Sequence, residues 1–130
     1  QNVYKLDKDL KYKIFEIQNC IKSGNKLRAK EIAENAVGEN QFSPEIEEII
    51  NLLINIYTDF KNIDRVIYWY KFMLICQTDA DKKYIYNIKL GAYYYSILRF
   101  AEARNCFFTA YLISPYRKEA RYYLKYYTEK

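Results

Sequence analysis

Apolar residues recur along this chain at helical spacing, and no stretch alternates as a strand would. The clearest stripes lie between residues 86 and 111. Tyr86, Leu90, Tyr93, Tyr94 and Ile97 share one face of a first segment, and Phe100, Ala103, Phe107, Ala110 and Tyr111 share a face of the next. Only a short turn around Leu98 and Arg99 separates them. Two such stripes bury each other by folding back antiparallel, so this pattern predicts a helical hairpin. Gly91 and Ala103 are expected where the two helices approach most closely, and a bulky residue at position 91 should overpack the contact.

The same arrangement recurs at a period of 37 residues. Ala29, Val66 and Ala103 fall in one register, Ala33, Tyr70 and Phe107 in a second, and Ala36, Met73 and Ala110 in a third. The first repeat supplies its partner face from Ile14, Ile17, Cys20 and Ile21. Ser23-Gly24-Asn25 and Lys61-Asn62 read as turns inside hairpins. Ser43-Pro44 and Ser114-Pro115 each place a hydroxyl before a proline, followed by Glu45 and Glu47 in one case and Glu119 in the other, so both pairs are expected to open helices. The resulting map has helices at 9–22, 26–37, 44–59, 63–76, 80–97, 100–113 and 116–128.

Leu90-Gly91, Tyr94, Ala103, Phe107, Ala110 and Pro115 reproduce the spacing L-G-x2-Y, A-x3-F-x2-A and a closing proline, and in this the segment 87–115 resembles a tetratricopeptide repeat. It departs at Asn87, where that pattern has an aromatic residue. The family's period is about 34 residues, and the surplus falls in the links Gly38 to Phe42 and Gln77 to Asp81. The resemblance implies an all-α, right-handed solenoid of three helix hairpins (9–42, 43–79 and 80–114) closed by a terminal helix in 115–130. With 130 residues beginning at Gln1, a single domain belonging to a longer protein is expected.

Composition narrows the chemistry. Apolar residues make up 51% and charged residues 28%, a globular balance, and no run approaches the roughly 20 apolar residues of a membrane span. No leader ending in a cleavage site is evident, so a cytoplasmic location is expected. The chain has no histidine, which removes every nucleophile–histidine pair and the commonest general base. Cys20, Cys76 and Cys106 lack metal-site spacing and are expected as buried free thiols. Three glycines build no phosphate-cradling loop. Asp7-Lys8-Asp9 and Asp79-Ala80-Asp81 echo a metal–nucleotide DxD, but both precede expected helices, where aspartate caps free amides. No catalytic residue, cofactor or metal is expected.

The net charge is +5, with an acidic belt of Glu31, Glu34, Glu39, Glu45, Glu47 and Glu48 that argues against nucleic acid. A protein or peptide partner is expected instead. The resemblance places the first helix of each repeat along a groove, and the 37-residue period aligns Glu48, Asn51, Asn55 and Thr58 with Ile85, Ile88, Ala92 and Tyr95. One rung is polar and the next apolar, and Tyr122 and Tyr126 extend the apolar part. Such a groove would take an extended peptide or a partner helix. Tyr123, Leu124 and Tyr127 form a second set with no further helix to cover them, so a homodimer through the C-terminal aromatics is the competing expectation. Ser114 to Ala120 is also similar to repeat segments that follow the catalytic domain of some bacterial family 2 glycosyltransferases. That implies an accessory domain for dimerisation or acceptor recruitment. The lysine-asparagine-arginine clamp of chaperone-tail binders is not matched, because Ile85 and Lys89 follow Asn51 and Asn55.

Overall fold

Residues 3–127 are described in a computed structural model, and they are all-helical. The elements are α1 (Val3–Lys22), α2 (Lys26–Glu39), α3 (Pro44–Asp59), α4 (Ile63–Cys76), α5 (Ala80–Ser96), α6 (Phe100–Ile113) and α7 (Lys118–Tyr126). No strand occurs among the described residues. The chain divides into two compact units, Gln1–Trp69 and Tyr70–Lys130.

The period seen in the sequence reappears in backbone geometry. Gly24, Lys61 and Leu98, 37 residues apart, all take left-handed φ values of 85°, 59° and 67°. At each turn the left-handed residue's N–H donates three residues back, to Ile21, Thr58 or Tyr95. The following N–H donates five residues back, to Cys20, Tyr57 or Tyr94. This is the Schellman arrangement, which satisfies the last carbonyls of a helix. The residue after it, Asn25, Asn62 or Arg99, then starts the next helix by accepting from the N–H of Ala29, Val66 or Ala103. A single turn therefore ends one helix and begins another, three times.

The three turns differ in one respect. Asn25 and Asn62 also accept side-chain caps from the N–H groups of Arg28 and Arg65, whereas Arg99 makes no side-chain cap. Arg99→Asn should therefore raise stability by about 1 kcal/mol by satisfying one more amide of α6. Chemical denaturation checks this, with Arg99→Ala as reference. Equal midpoints for the two variants would show that the cap does not form.

In the first unit, α1, α2 and α3 pack on one another around Ile17, Ala29, Ala33, Ile46, Ile49 and Leu53, all fully buried. The Tyr57 hydroxyl donates to the Glu34 carboxylate, tying α3 to α2, and burial first, then Glu34, pushes that phenol up to about 12. Ser43 caps α3 as expected, its hydroxyl accepting from Ile46 N–H ahead of Pro44. In the second unit α5 packs on α6, and α6 on α7. The positions that define the three registers are buried, apart from half-buried Tyr70. Asp79 caps α5 by accepting from Lys82 N–H.

Several boundaries differ from the sequence map. Helix α1 begins at Val3, so positions 7 and 9 lie inside it rather than ahead of it. No glycine or proline between Val3 and Asp9 interrupts it. Helix α2 continues through Gly38 to Glu39. Ser114-Pro115 does not open α7. Ser114 instead ends α6, its N–H donating to Ala110, and Pro115 occupies the second position of a turn closed by Arg117 N–H on Ser114 C=O. Helix α7 starts only at Lys118, and residue 128, where it was expected to end, lies outside the described residues. Among the cysteines Cys106 is buried, while Cys20 and Cys76 are half-buried.

Candidate functional site

Helix α3 turns Ile46, Ile49, Ile50 and Leu53 into the first unit. The expected polar rung occupies other faces of the same helix. Glu48, Asn55 and Thr58 are exposed and Asn51 is half-buried. The Thr58 hydroxyl donates back to Ile54 C=O at 2.7 Å, leaving its oxygen as an acceptor for a ligand.

In the second unit α5 buries Tyr84, Tyr86, Asn87, Leu90, Gly91 and Tyr94. Of the expected apolar rung, Ile85 is 40% exposed, Ala92 is exposed, and Ile88 and Tyr95 are half-buried. The Tyr95 ring is engaged with Phe100 and Tyr127, at centroid distances of 5.2 and 5.1 Å. Helix α7 sorts its tyrosines by face. Tyr123 stacks on Phe107 at 4.8 Å and Tyr127 meets Tyr95, so these two tyrosines, expected to lack cover, are packed onto α6 and α5. Tyr122 and Tyr126 point outward, 53% and 58% exposed, with their rings 4.9 Å apart.

Where α7 begins, it forms a depression of about 190 Å³ with α5, lined by Tyr84, Ile85, Ile88, Lys89, Arg117 and Glu119. Tyr84 builds its floor. Its ring is almost completely buried, and its hydroxyl accepts from Ala120 N–H at 3.0 Å and donates to Glu119 Oε1 at 3.1 Å. Burial is the main reason this phenol titrates above its ordinary range. The Arg117 guanidinium lies 4.4 Å over the ring and 3.7 Å from Asp81 Oδ1. Glu119's own backbone N–H, then Tyr84, holds its carboxyl below the usual range. Lys89 Nζ sits 5.7 Å over the Tyr86 ring.

Ile85 and Ile88 of the expected groove thus line this depression, and the other eight expected residues do not. Lys89, Arg117 and Glu119 were absent from the expected site. Lys89 is one helical turn beyond Ile85 and could have been found from α5 periodicity. Arg117 and Glu119 reach α5 from more than 25 residues away, with no local signal. The first unit has two further depressions, of about 350 Å³ by Gln18, Ile21, Lys22 and Leu52 and about 220 Å³ near Leu10 and Asn40.

Charge is divided unevenly. The first unit has ten Lys and Arg against eleven Asp and Glu; the second has eleven against five, giving −1 and +6. Among the described residues no group of three His, Cys, Asp or Glu could hold a metal, and no helix is long and apolar enough to cross a membrane. Burial pushes the Cys106 thiol up to about 11, which makes it a poor nucleophile. In comparisons with protein families, curated proteins and solved structures, the chain matches none.

Proposed function

We propose that this chain is a non-catalytic interaction module that binds a peptide or a partner helix, built as a right-handed tetratricopeptide-like stack of three hairpins with α7 as its terminal cap. The observation that carries the reading is the apolar row Ile85, Ile88 and Ala92 on α5, opposite Leu90 and Tyr94, in which Ile85 and Ala92 are exposed and Ile88 is half-buried against Tyr84, Ala110 and Ala120. Recurrence of the hairpin turn every 37 residues supports the stack. The absence of histidine supports a non-catalytic role, and the cytoplasm is the compartment we assign. In this reading Glu48, Asn51, Asn55 and Thr58 supply polar contacts to the ligand. Replacing Asn51 and Asn55 with alanine should weaken peptide capture severalfold while leaving helicity intact, measured by fluorescence anisotropy and circular dichroism. Unchanged affinity would remove both residues from the site.

A second reading rests on Tyr122 and Tyr126, paired and exposed on α7. Here the chain self-associates, as an accessory domain of a bacterial glycosyltransferase would. Light scattering over a concentration series separates the two. A dimer lost on changing both tyrosines to serine supports assembly, and a concentration-independent monomer supports capture of a foreign partner.

A further inference from the structure

We propose that the depression between α5 and the start of α7 is the anchor subsite for an acidic peptide segment, seating one aliphatic side chain between Ile85 and Ile88 with carboxylates beside Lys89 and Arg117. This deepens the interaction-module reading and rests on it. Size comes first: at about 190 Å³ the depression suits a single leucine-sized side chain rather than a whole small-molecule ligand, whose pockets begin at roughly 300 Å³. Its walls are also suitable. Ile85 is 40% exposed, so an incoming side chain removes apolar surface that the fold leaves wet. Among the lining residues two are cationic, Lys89 and Arg117, and one is anionic, Glu119. The Glu119 carboxylate accepts from Tyr84, and Arg117 lies 4.4 Å over the Tyr84 ring and 3.7 Å from exposed Asp81. Lys89 is exposed and leans over Tyr86. The whole second unit carries +6, which draws an anionic partner and repels a basic one. An anchor in a pocket with charges at its rim is the arrangement in which a few contacts supply most of the affinity.

The test titrates the full 130-residue chain, labelled with nitrogen-15, with blocked 12-residue peptides followed by amide shifts. One peptide carries a single leucine in an Asp/Glu/Ser host, a second has alanine for that leucine, and a third keeps the leucine in a Lys/Ser host. The expected result is binding of the first with shifts at Ile85, Ile88, Lys89 and Arg117. The alanine and lysine versions should each bind about tenfold or more weakly. Ile85→Asp and Lys89→Glu, both at exposed positions, should each cost about tenfold. Equal affinity for the leucine and alanine peptides, or full affinity in Ile85→Asp, overturns the anchor. Shifts confined to Asn51 and Asn55 overturn this subsite while keeping the interaction module. No shift with any peptide, together with a dimer by light scattering, overturns both. A 12-mer of oligouridylate binding these same residues more tightly than the acidic peptide overturns the peptide assignment.

Discussion

Gly91→Ala is expected to destabilise the second unit by about 1–2 kcal/mol, although alanine is the better helix former by about 1 kcal/mol. A Cβ at position 91 would lie 2.6 Å from Phe107 Cε1, 2.8 Å from Cδ1 and 3.0 Å from Cζ. These distances are well inside van der Waals contact, so the ring or a helix must move. The ring has little freedom: Phe107 is fully buried, and it also stacks on Tyr123 with the planes 9° apart. Displacing it therefore disturbs α7 as well as α6. Gly91→Leu should cost more than the alanine change.

Phe107→Leu alone should also destabilise, by leaving space, yet the double variant should lose less than the sum of the two single changes. A coupling of about 0.5–3 kcal/mol is the range for residues in contact. The first unit holds the opposite distribution of volume at the same two register positions, Ile17 and Ala33, both fully buried. Thermal and chemical denaturation of the four proteins measures the coupling. If Gly91→Ala instead gains the stability that helix propensity alone would give, the close approach is not a constraint.

The second large effect is expected at Tyr84. Helix α7 has nine residues, too short to persist alone, and its N-cap Arg117 contributes no side-chain cap. Its third amide, Ala120 N–H, is capped from another helix by the Tyr84 hydroxyl, and Ala120 is fully buried. Tyr84→Phe keeps the ring and removes the acceptor, leaving a buried donor without a partner. The expected cost is about 1–3 kcal/mol. Hydrogen exchange should rise across residues 118–126 before the rest of the second unit opens. Tyr116→Phe, at a residue 91% exposed, is the control. Equal exchange in both variants would show that the hydroxyl does not hold α7.

The same contact gives α7 a dependence on acid. Glu119 titrates below its ordinary range because its own backbone N–H and then the Tyr84 hydroxyl donate to the ionised form, with Arg117 adding a smaller attraction. A carboxyl whose folded pKa is depressed contributes stability above its unfolded value of roughly 4.3, and that contribution is lost as pH falls through the folded value. Exchange protection in α7 should therefore decline below about pH 4. Glu119→Gln should flatten that decline. A decline of the same size in Glu119→Gln would assign the acid sensitivity to other carboxylates.

The candidate site was legible only in part, and the missing part has a single cause. Ile85 and Ile88 were found because a helix repeats its faces every 3.6 residues, so a row left over after Leu90 and Tyr94 are assigned to the core is visible in the sequence. Arg117 and Glu119 were not found because their place beside α5 depends on how α7 docks. Periodicity gives no information about that docking. The tyrosines of α7 show the same limit. Tyr122, Tyr123, Tyr126 and Tyr127 are chemically alike, and only the rings of Phe107 and Tyr95 decide which two are covered.

By itself, the order of residues determined the helical class, the 37-residue registers, the bounds of α3, α4 and α6, and the places of the three hairpin turns. Each depends on groups within one or two helical turns of one another, so spacing and capping chemistry suffice. Tertiary structure alone decided that Gly91 makes room for the Phe107 ring. It also started α7 at Lys118 under the Tyr84 hydroxyl rather than at Ser114-Pro115. In both cases the outcome rests on a contact between groups far apart in the chain, Gly91 with Phe107 and Ala120 with Tyr84. A close packing or a buried amide can be satisfied only by what lies beside it in space.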